Sequence, residues 1–285
     1  MRPYVVAGGT AVVTGAASGI GAALATALAA RGSHLVLLDR DADRLADVAA
    51  TVRAASPAVT VSTHVVDLAD PVLTQQVADR VVAENPGTTL LVNNAGVALA
   101  GRFDQVTLEE FEWVMAINVR AAVRLTHALL PVLKANPGSH LVNVSRLFGL
   151  IAPAGQSAYS TSKFAIRGFT EALRHELVDD GVGVTSVHPG GIKTRIAETA
   201  RLGSGVPQAE GEEGKRQFAR LLTIEPETAA ELIVRAVQRR RPRLLIGASA
   251  RIPDVLARIA PGSYGRLLAA VGALSARRRA PQATR

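Results

Sequence analysis

Seven short apolar runs separated by longer amphipathic segments restrict this chain more than any other feature. The runs are Thr10–Thr14 (TAVVT), His34–Asp39 (HLVLLD), Val59–Asp67 (VTVSTHVVD) and Thr89–Asn94 (TLLVNN), then Ser139–Ser145 (SHLVNVS), Val182–His188 (VGVTSVH) and Arg243–Gly247 (RLLIG). Most are nearly continuous in apolar residues, as expected for strands covered on both faces of a parallel sheet. The segments between them are long enough for crossover helices. The pattern predicts an α/β fold, a doubly wound and mainly parallel seven-stranded sheet with helices on both faces.

Composition narrows the chemistry. The chain has 285 residues, 48% of them hydrophobic, enough for a sizeable core. It has no cysteine, which excludes disulfides, thiol catalysis and zinc–thiolate sites and fits a reducing cytoplasm. The amino terminus is a poor signal peptide, and no apolar window is long enough to span a membrane. A cytoplasmic location is expected. The formal charge is +8, and only four of the 32 basic residues are lysine. That skew fits coding bias; the plain reading of the charge is solubility, and the sharper one is attraction to acidic surfaces or anionic ligands.

The loop after the first run reads TGAASGIG, Thr14 to Gly21, between a strand and a helix. That is the context of a dinucleotide-binding loop. Gly15 permits the sharp turn, Gly19 a close approach to pyrophosphate, and Gly21 the packing of helix on strand. Ser18 and Ile20 lie between them, where the helix presents free N–H groups to phosphate. Asp39 ends the second strand, where a carboxylate accepts from ribose hydroxyls and repels a 2′-phosphate. Arg40 beside it has the opposite tendency. Ala16 and Ala17 put no cation in the loop, so NAD is expected over NADP. Asp67 and Leu68 follow the third strand at the adenine edge, and Asn94, Ala95 and Gly96 follow the fourth. Ligands in open α/β sheets lie at these carboxyl ends.

Tyr159 and Lys163 are four apart in a helical pattern and share one face. A phenol titrates near 10. A neighbouring ammonium lowers that value and makes the pair a general acid–base. Taken in order, TGAASGIG, NNAG, YSTSK and HPGGIKT resemble the classical short-chain dehydrogenase/reductase family over roughly residues 8 to 250. The resemblance implies a Rossmann domain in which tyrosine moves a proton at the substrate oxygen while nicotinamide carries hydride. It implies that Lys163 also holds the nicotinamide ribose and that Asn118 supports a proton relay. Pro189, Gly190, Ile192 and Thr194 would surround the carboxamide. Homodimers or homotetramers acting on a small alcohol or ketone are implied as well.

One position departs from the family pattern. The family places a serine thirteen residues before the tyrosine, and here that residue is Arg146, with Ser145 one step earlier. Adjacent strand residues face opposite ways, so Ser145 is expected to face away. Three readings stay open. Arg146 replaces the hydroxyl donor; Ser145 substitutes through a twisted strand end; or catalysis is impaired and the chain is a dinucleotide-binding regulator or scaffold. Loss of one oxyanion donor costs about 10² to 10³ in turnover.

The remaining features have plainer readings. The six histidines lack metal-ligand spacing, and no metal site is expected. Glu109 and Glu110 after Thr107 suit a helix cap. Phe111 and Trp113 suit helix packing. The run Arg239–Arg243 suits a helix carboxyl terminus, and no nucleic-acid module accompanies it. Residues 1–250 are expected to form one domain, with a mobile substrate loop over 195–226 containing at most a short helix. Ile196, Leu202, Phe218, Leu221 and Leu222 in or beside that loop favour a lipophilic substrate. Residues 251–285 are expected to form an amphipathic extension, with helix from Ile252 to Ala276 broken at Pro261-Gly262 and a frayed basic tail.

Overall fold

The computed structural model describes residues 1–196 and 198–266. In chain order its elements begin β1 (Thr10–Thr14), α1 (Gly19–Ala29), β2 (His34–Asp39), α2 (Ala42–Ala55), β3 (Val61–Val65), α3 (Pro71–Glu84) and β4 (Thr88–Asn93). Then come β5 (Leu99–Ala100), α4 (Leu108–Met115), α5 (Ala122–Ala135), β6 (His140–Val144), α6 (Ser157–Glu176) and β7 (Gly183–Pro189). The last are β8 (Arg201–Leu202), α7 (Gln208–Ala219), α8 (Pro226–Gln238), β9 (Arg243–Ile246) and α9 (Ala248–Ile259). All seven apolar runs become strands of one parallel sheet in the order β3-β2-β1-β4-β6-β7-β9. The order reverses between β1 and β4, which opens a crevice at the carboxyl ends of the strands.

The apolar runs are continuous because both faces are buried. In β1, Ala11 and Val13 join one core while Val12 joins the other. In β2, Leu35 and Leu37 face the first core, Val36 and Leu38 the second. Helices α1, α2 and α8 cover the first face through Leu24, Leu28, Leu45, Val52, Ile233 and Val234. Helices α3, α5 and α6 cover the second through Val77, Val81, Leu125, Leu129, Leu133 and Leu173. Full burial of each such side chain stabilises by about 1.5–3 kcal/mol.

Caps fix where the helices start. Asp41 accepts from the Arg44 N–H at the head of α2. Asp70 accepts from the Val72 and Leu73 N–H groups at the head of α3, which has Pro71 in its first turn. Thr107 and Glu110 form a reciprocal capping box on α4, as the sequence suggests. Glu110 also accepts from the Ser204 N–H, tying α4 to the strand-like segment around β8.

A buried polar chain sets the spacing of the helices that carry the site. Asn93 Nδ2 donates to Thr126 Oγ1 on α5 at 3.0 Å and to Asn143 Oδ1 on β6 at 2.8 Å. Asn143 Nδ2 donates to Thr170 Oγ1 on α6 at 2.9 Å. Two adjacent strands thus hold one helix each through side-chain amides inside the core.

Three segments differ from the sequence expectations. The stretch 195–226 holds more structure than a loop: β8 pairs with β5, and α7 has 12 residues. Arg201 at β8 stacks its guanidinium on Trp113, 3.8 Å from the ring centroid, a contact that helical packing of Trp113 does not foretell. The Arg239–Arg243 run does more than complement a helix dipole. Arg240 has φ 52° and donates to the carbonyls of Arg2, Gly138 and Ser139, so it closes the base of the sheet. Arg243 pairs with the buried Asp254 of α9 at 2.6 Å. Helix α9 begins four residues before Ile252 and ends at Ile259, two residues before Pro261. The expected helix beyond Arg266 and the frayed tail lie outside the described residues. Among the described residues no helix is long and apolar enough to cross a membrane, and no cluster of histidine and carboxylate groups can hold a metal ion.

His140 and His188 are buried strand residues. Burial lowers the pKa of His140 to about 3 and of His188 to about 4 from 6.5. Between pH 6.5 and those values the unfolded chain binds more protons than the native one, so stability falls as pH falls through that window. Urea unfolding should show midpoints dropping from pH 6.5 to 4. His140→Gln should flatten the drop by a few kcal/mol, at about 1.4 kcal/mol per pKa unit. An unchanged slope would assign the acid sensitivity to carboxylates instead.

Candidate active site

A solvent-open cleft runs across the carboxyl ends of β1, β2, β3, β4, β6 and β7. Its floor starts at the β1–α1 loop. Gly15 and Gly19 have φ values of 65° and 54°, which disfavour any side chain. A Cβ on Gly15 would lie 2.9 Å from Ala95 Cα, and one on Gly21 would lie 2.0 Å from the Gly15 carbonyl oxygen. Asn94 closes the same junction. Its Nδ2 donates to the Thr14 and Gly15 carbonyls, while its N–H and that of Ala95 donate to Thr14 Oγ1. Glycine is needed here because two strand ends touch backbone to backbone.

Of the candidate dinucleotide contacts, Gly15, Ser18, Gly19, Ile20, Asp39, Arg40, Asp67, Leu68, Asn94, Ala95, Gly96, Pro189 and Thr194 all line the cleft. Asp39 accepts from the Ala17 N–H at 3.0 Å and the Asp41 N–H at 3.1 Å, which holds its carboxylate at the end of β2. Asp67 accepts from the Ala69 N–H. Three candidates sit elsewhere. Gly21 packs α1 on the loop, Gly190 lies against Ser249 and β9, and Ile192 is fully buried and bridges to Ile224. Sequence reasoning missed Asp41, Val66, Val97, Ile117 and Thr199 as cleft residues. Val97 directly follows NNAG, so proximity to that motif was a usable signal; Ile117, one residue before Asn118, was another.

Tyr159 and Lys163 lie one turn apart on α6, and both are buried. Lys163 Nζ donates to the Val144 carbonyl at 3.3 Å and lies 5.7 Å from the Tyr159 ring centroid. Phe148 packs edge-on against the Tyr159 ring. The Tyr159 hydroxyl is buried and has no hydrogen-bond partner, and Arg146 Nη2 is in the same condition. The guanidinium lies close enough for its charge to act on the phenol, yet the two make no well-aligned bond. Burial raises the Tyr159 pKa above 10, and the nearby Arg146 charge opposes without prevailing. The sequence reading expected a lysine to lower it. Desolvation reverses the sign, and the charge that resists is arginine. Burial, and secondarily Arg146, lower Lys163 to about 7.

Arg146 follows β6 in extended backbone, φ −167°, and starts the 3₁₀ turn Leu147–Gly149. Its carbonyl accepts from Gly149 N–H and meets His188 Nδ1 at 3.3 Å. Ser145 continues the β6–β7 ladder through its N–H to Val187 O. Its hydroxyl donates to the Lys163 carbonyl at 2.8 Å, so it braces α6 and does not turn toward Tyr159. Asn118 is buried behind the cleft in a π-helical stretch, Ala116–Ala121, between α4 and α5. Its amide exchanges bonds with the Val97 backbone and donates to Ser162 Oγ at 2.9 Å. Side-chain bonding therefore locks this turn against both β4's end and α6.

Comparison with known proteins agrees with this architecture. Residues 9–204 match the family model described as short chain dehydrogenase. The chain belongs to the short-chain dehydrogenase family. It is 43% identical over 271 residues to SadH of Mycobacterium tuberculosis, named there as an oxidoreductase, covering 92% of this chain and 95% of that one. A short-chain dehydrogenase/reductase of Burkholderia phymatum in complex with NAD superposes with TM-score 0.81 at 29% identity, covering 90% and 94%. One from Sphingobium yanoikuyae in complex with NADPH gives 0.74 at 28%, covering 97% and 98%. The family's solved members thus include both cofactors, and the fold seen here is theirs.

The lysine environment can be read directly. The chain has four lysines. In a ¹⁵N-lysine NMR titration one resonance should have a midpoint near 7, and Arg146→Ser should move it upward because a neighbouring positive charge is removed. Four midpoints near 10.5 would show that Lys163 is not desolvated.

Proposed function

We propose that the protein is a dinucleotide-dependent oxidoreductase that interconverts a secondary alcohol and a ketone, with Tyr159 as general acid–base. The observation that carries this reading is the buried, unpartnered Tyr159 hydroxyl facing a cleft whose other end is a glycine cradle. Tyr159 protonates the substrate oxygen in one direction and deprotonates it in the other. Lys163 beside it modulates the phenol and holds the nicotinamide ribose, and Asn118 anchors the proton relay. A bound nicotinamide dinucleotide supplies or accepts the hydride.

The residues present fit such a cofactor. A Cβ on Gly96 would come within 3.1 Å of Lys163 Nζ and 3.2 Å of Asn118 Oδ1, so the bare backbone leaves room there. Thr194 Oγ1 is buried without a partner at the same cleft. Asp39 favours NAD over NADP, since its charge would repel a 2′-phosphate. We further take residues 1–250 as one domain, working in the cytoplasm as a homodimer or homotetramer, with 251–285 as an extension. Ile196 at the cleft supports a lipophilic substrate.

A second reading, a dinucleotide-binding regulator with weak turnover, is favoured by one observation: Arg146 stands where the family has serine. Kinetics separate the two. Tyr159→Phe should lower kcat on ketones by about 10² to 10⁴ while NADH binding persists. Asp39→Ala should narrow the affinity gap between NADH and NADPH. Turnover that appears only in Arg146→Ser, a gain of about 10² or more, would favour the regulator.

A further inference from the structure

Arg146 is a cation that the fold itself leaves without a counter-charge. No carboxylate among the described residues pairs with it, although twelve lysine– or arginine–carboxylate pairs form elsewhere among them. The three carboxylates lining the cleft, Asp39, Asp41 and Asp67, belong to the ends of β2 and β3, and each accepts from backbone N–H groups there. Lys163 adds a second basic group on the Arg146 side. Buried polar groups are ordinarily paired, and charged ones strongly so. Arg146 Nη2 and Tyr159 Oη lie buried side by side, close enough to interact yet without a well-aligned bond to each other or to any other group, and therefore mark where a ligand supplies acceptors.

We propose that Arg146 anchors a carboxylate on the substrate, which is a 2-oxo or 3-oxo acid interconverted with its hydroxy acid. This rests on the oxidoreductase reading above. A serine hydroxyl offers one hydrogen to one oxygen. A guanidinium offers a planar fork that matches both oxygens of a carboxylate. Tyr159 serves the carbonyl oxygen, so the fork requires a second acceptor group on the same molecule, one or two carbons away. Phosphate binding does not account for it: the free N–H groups of α1 follow β1, which β4 separates from β6 in the sheet. His188 Nδ1 at the Arg146 carbonyl and the Gly149 N–H on the same oxygen fix the backbone from which the guanidinium projects. In reduction the carbonyl carbon gains hydride and its oxygen gains the Tyr159 proton. The two electrons come from the reduced dinucleotide, and the carboxylate is unchanged.

The test is calorimetric titration of 2-oxooctanoate, 3-oxooctanoate and the methyl ester of each into the full chain saturated with NAD⁺. The oxidised cofactor cannot reduce a ketone, so binding alone is read. At least one acid should bind ten-fold or more tightly than its ester. Arg146→Ser should erase that preference, and Arg146→Lys should retain part of it. Equal binding of acid and ester overturns the proposal, as does a preference that survives Arg146→Ser. Turnover of octan-2-one with NADH separates the two claims. If it is reduced while acids gain no preference, the activity stands and the carboxylate anchor falls. If the Arg146-dependent preference appears while no ketone or oxo acid is reduced, the anchor stands and the activity falls.

Discussion

The contact between the loop after β1 and the end of β4 is the constraint on which the rest of the site depends. Here two backbones approach so closely that a Cβ at Gly15 would crowd Ala95 Cα, while one at Gly21 would overlap the Gly15 carbonyl within the loop itself. Asn94 bonds both carbonyls of the loop, and Thr14 Oγ1 accepts from the Asn94 and Ala95 N–H groups. Because β1 and β4 flank the point where strand order reverses, this junction also sets the mouth of the cleft. Asn93, one residue earlier, reaches into the core and fixes α5 and, through Asn143, α6. Consecutive asparagines thus brace the two ends of the cleft: one shapes the loop after β1, the other spaces the helix that carries Tyr159.

Much of the fold was legible because burial on both sheet faces leaves a sequence signature. Val12 and Val13 face different cores, so the run stays apolar with no alternation. The strand ends were legible through glycine and asparagine, whose uses there are steric and directional. What stayed hidden depended on distance in the chain. Arg201 on Trp113, Glu110 to Ser204 and Arg240 to Arg2 join residues that no local pattern links. The segment before α8 looked like a loop because glycine and charge are frequent there, yet Gln208–Ala219 is helical, with Gly211 packed on Leu202. The Tyr159 environment was misjudged for another reason. Spacing reports which groups are neighbours but not how much water they lose, and desolvation sets the sign of the phenol's shift.

Ser145 and Arg146 divide the roles that a strand end can have. The ladder to β7 carries on through Ser145, whose hydroxyl turns back onto the α6 backbone. The next residue must then project the other way. A large cation in that position lies beside two buried titratable groups, and burial outweighs its charge at the phenol and reinforces it at the amine. Lys163 loses much of its basicity, while Tyr159 keeps its proton.

The Arg240 contacts have a consequence for the order in which the molecule can be made. The carbonyl of Arg2 waits for a guanidinium 238 residues downstream. Strands β1 to β4 can pair among themselves early in synthesis, and Tyr4 can reach Thr89 on β4, but the Arg2 carbonyl and the Tyr4 N–H have no final partners until α8 and the residues after it have left the ribosome. The base of the sheet is therefore closed late, by residues 238 positions apart.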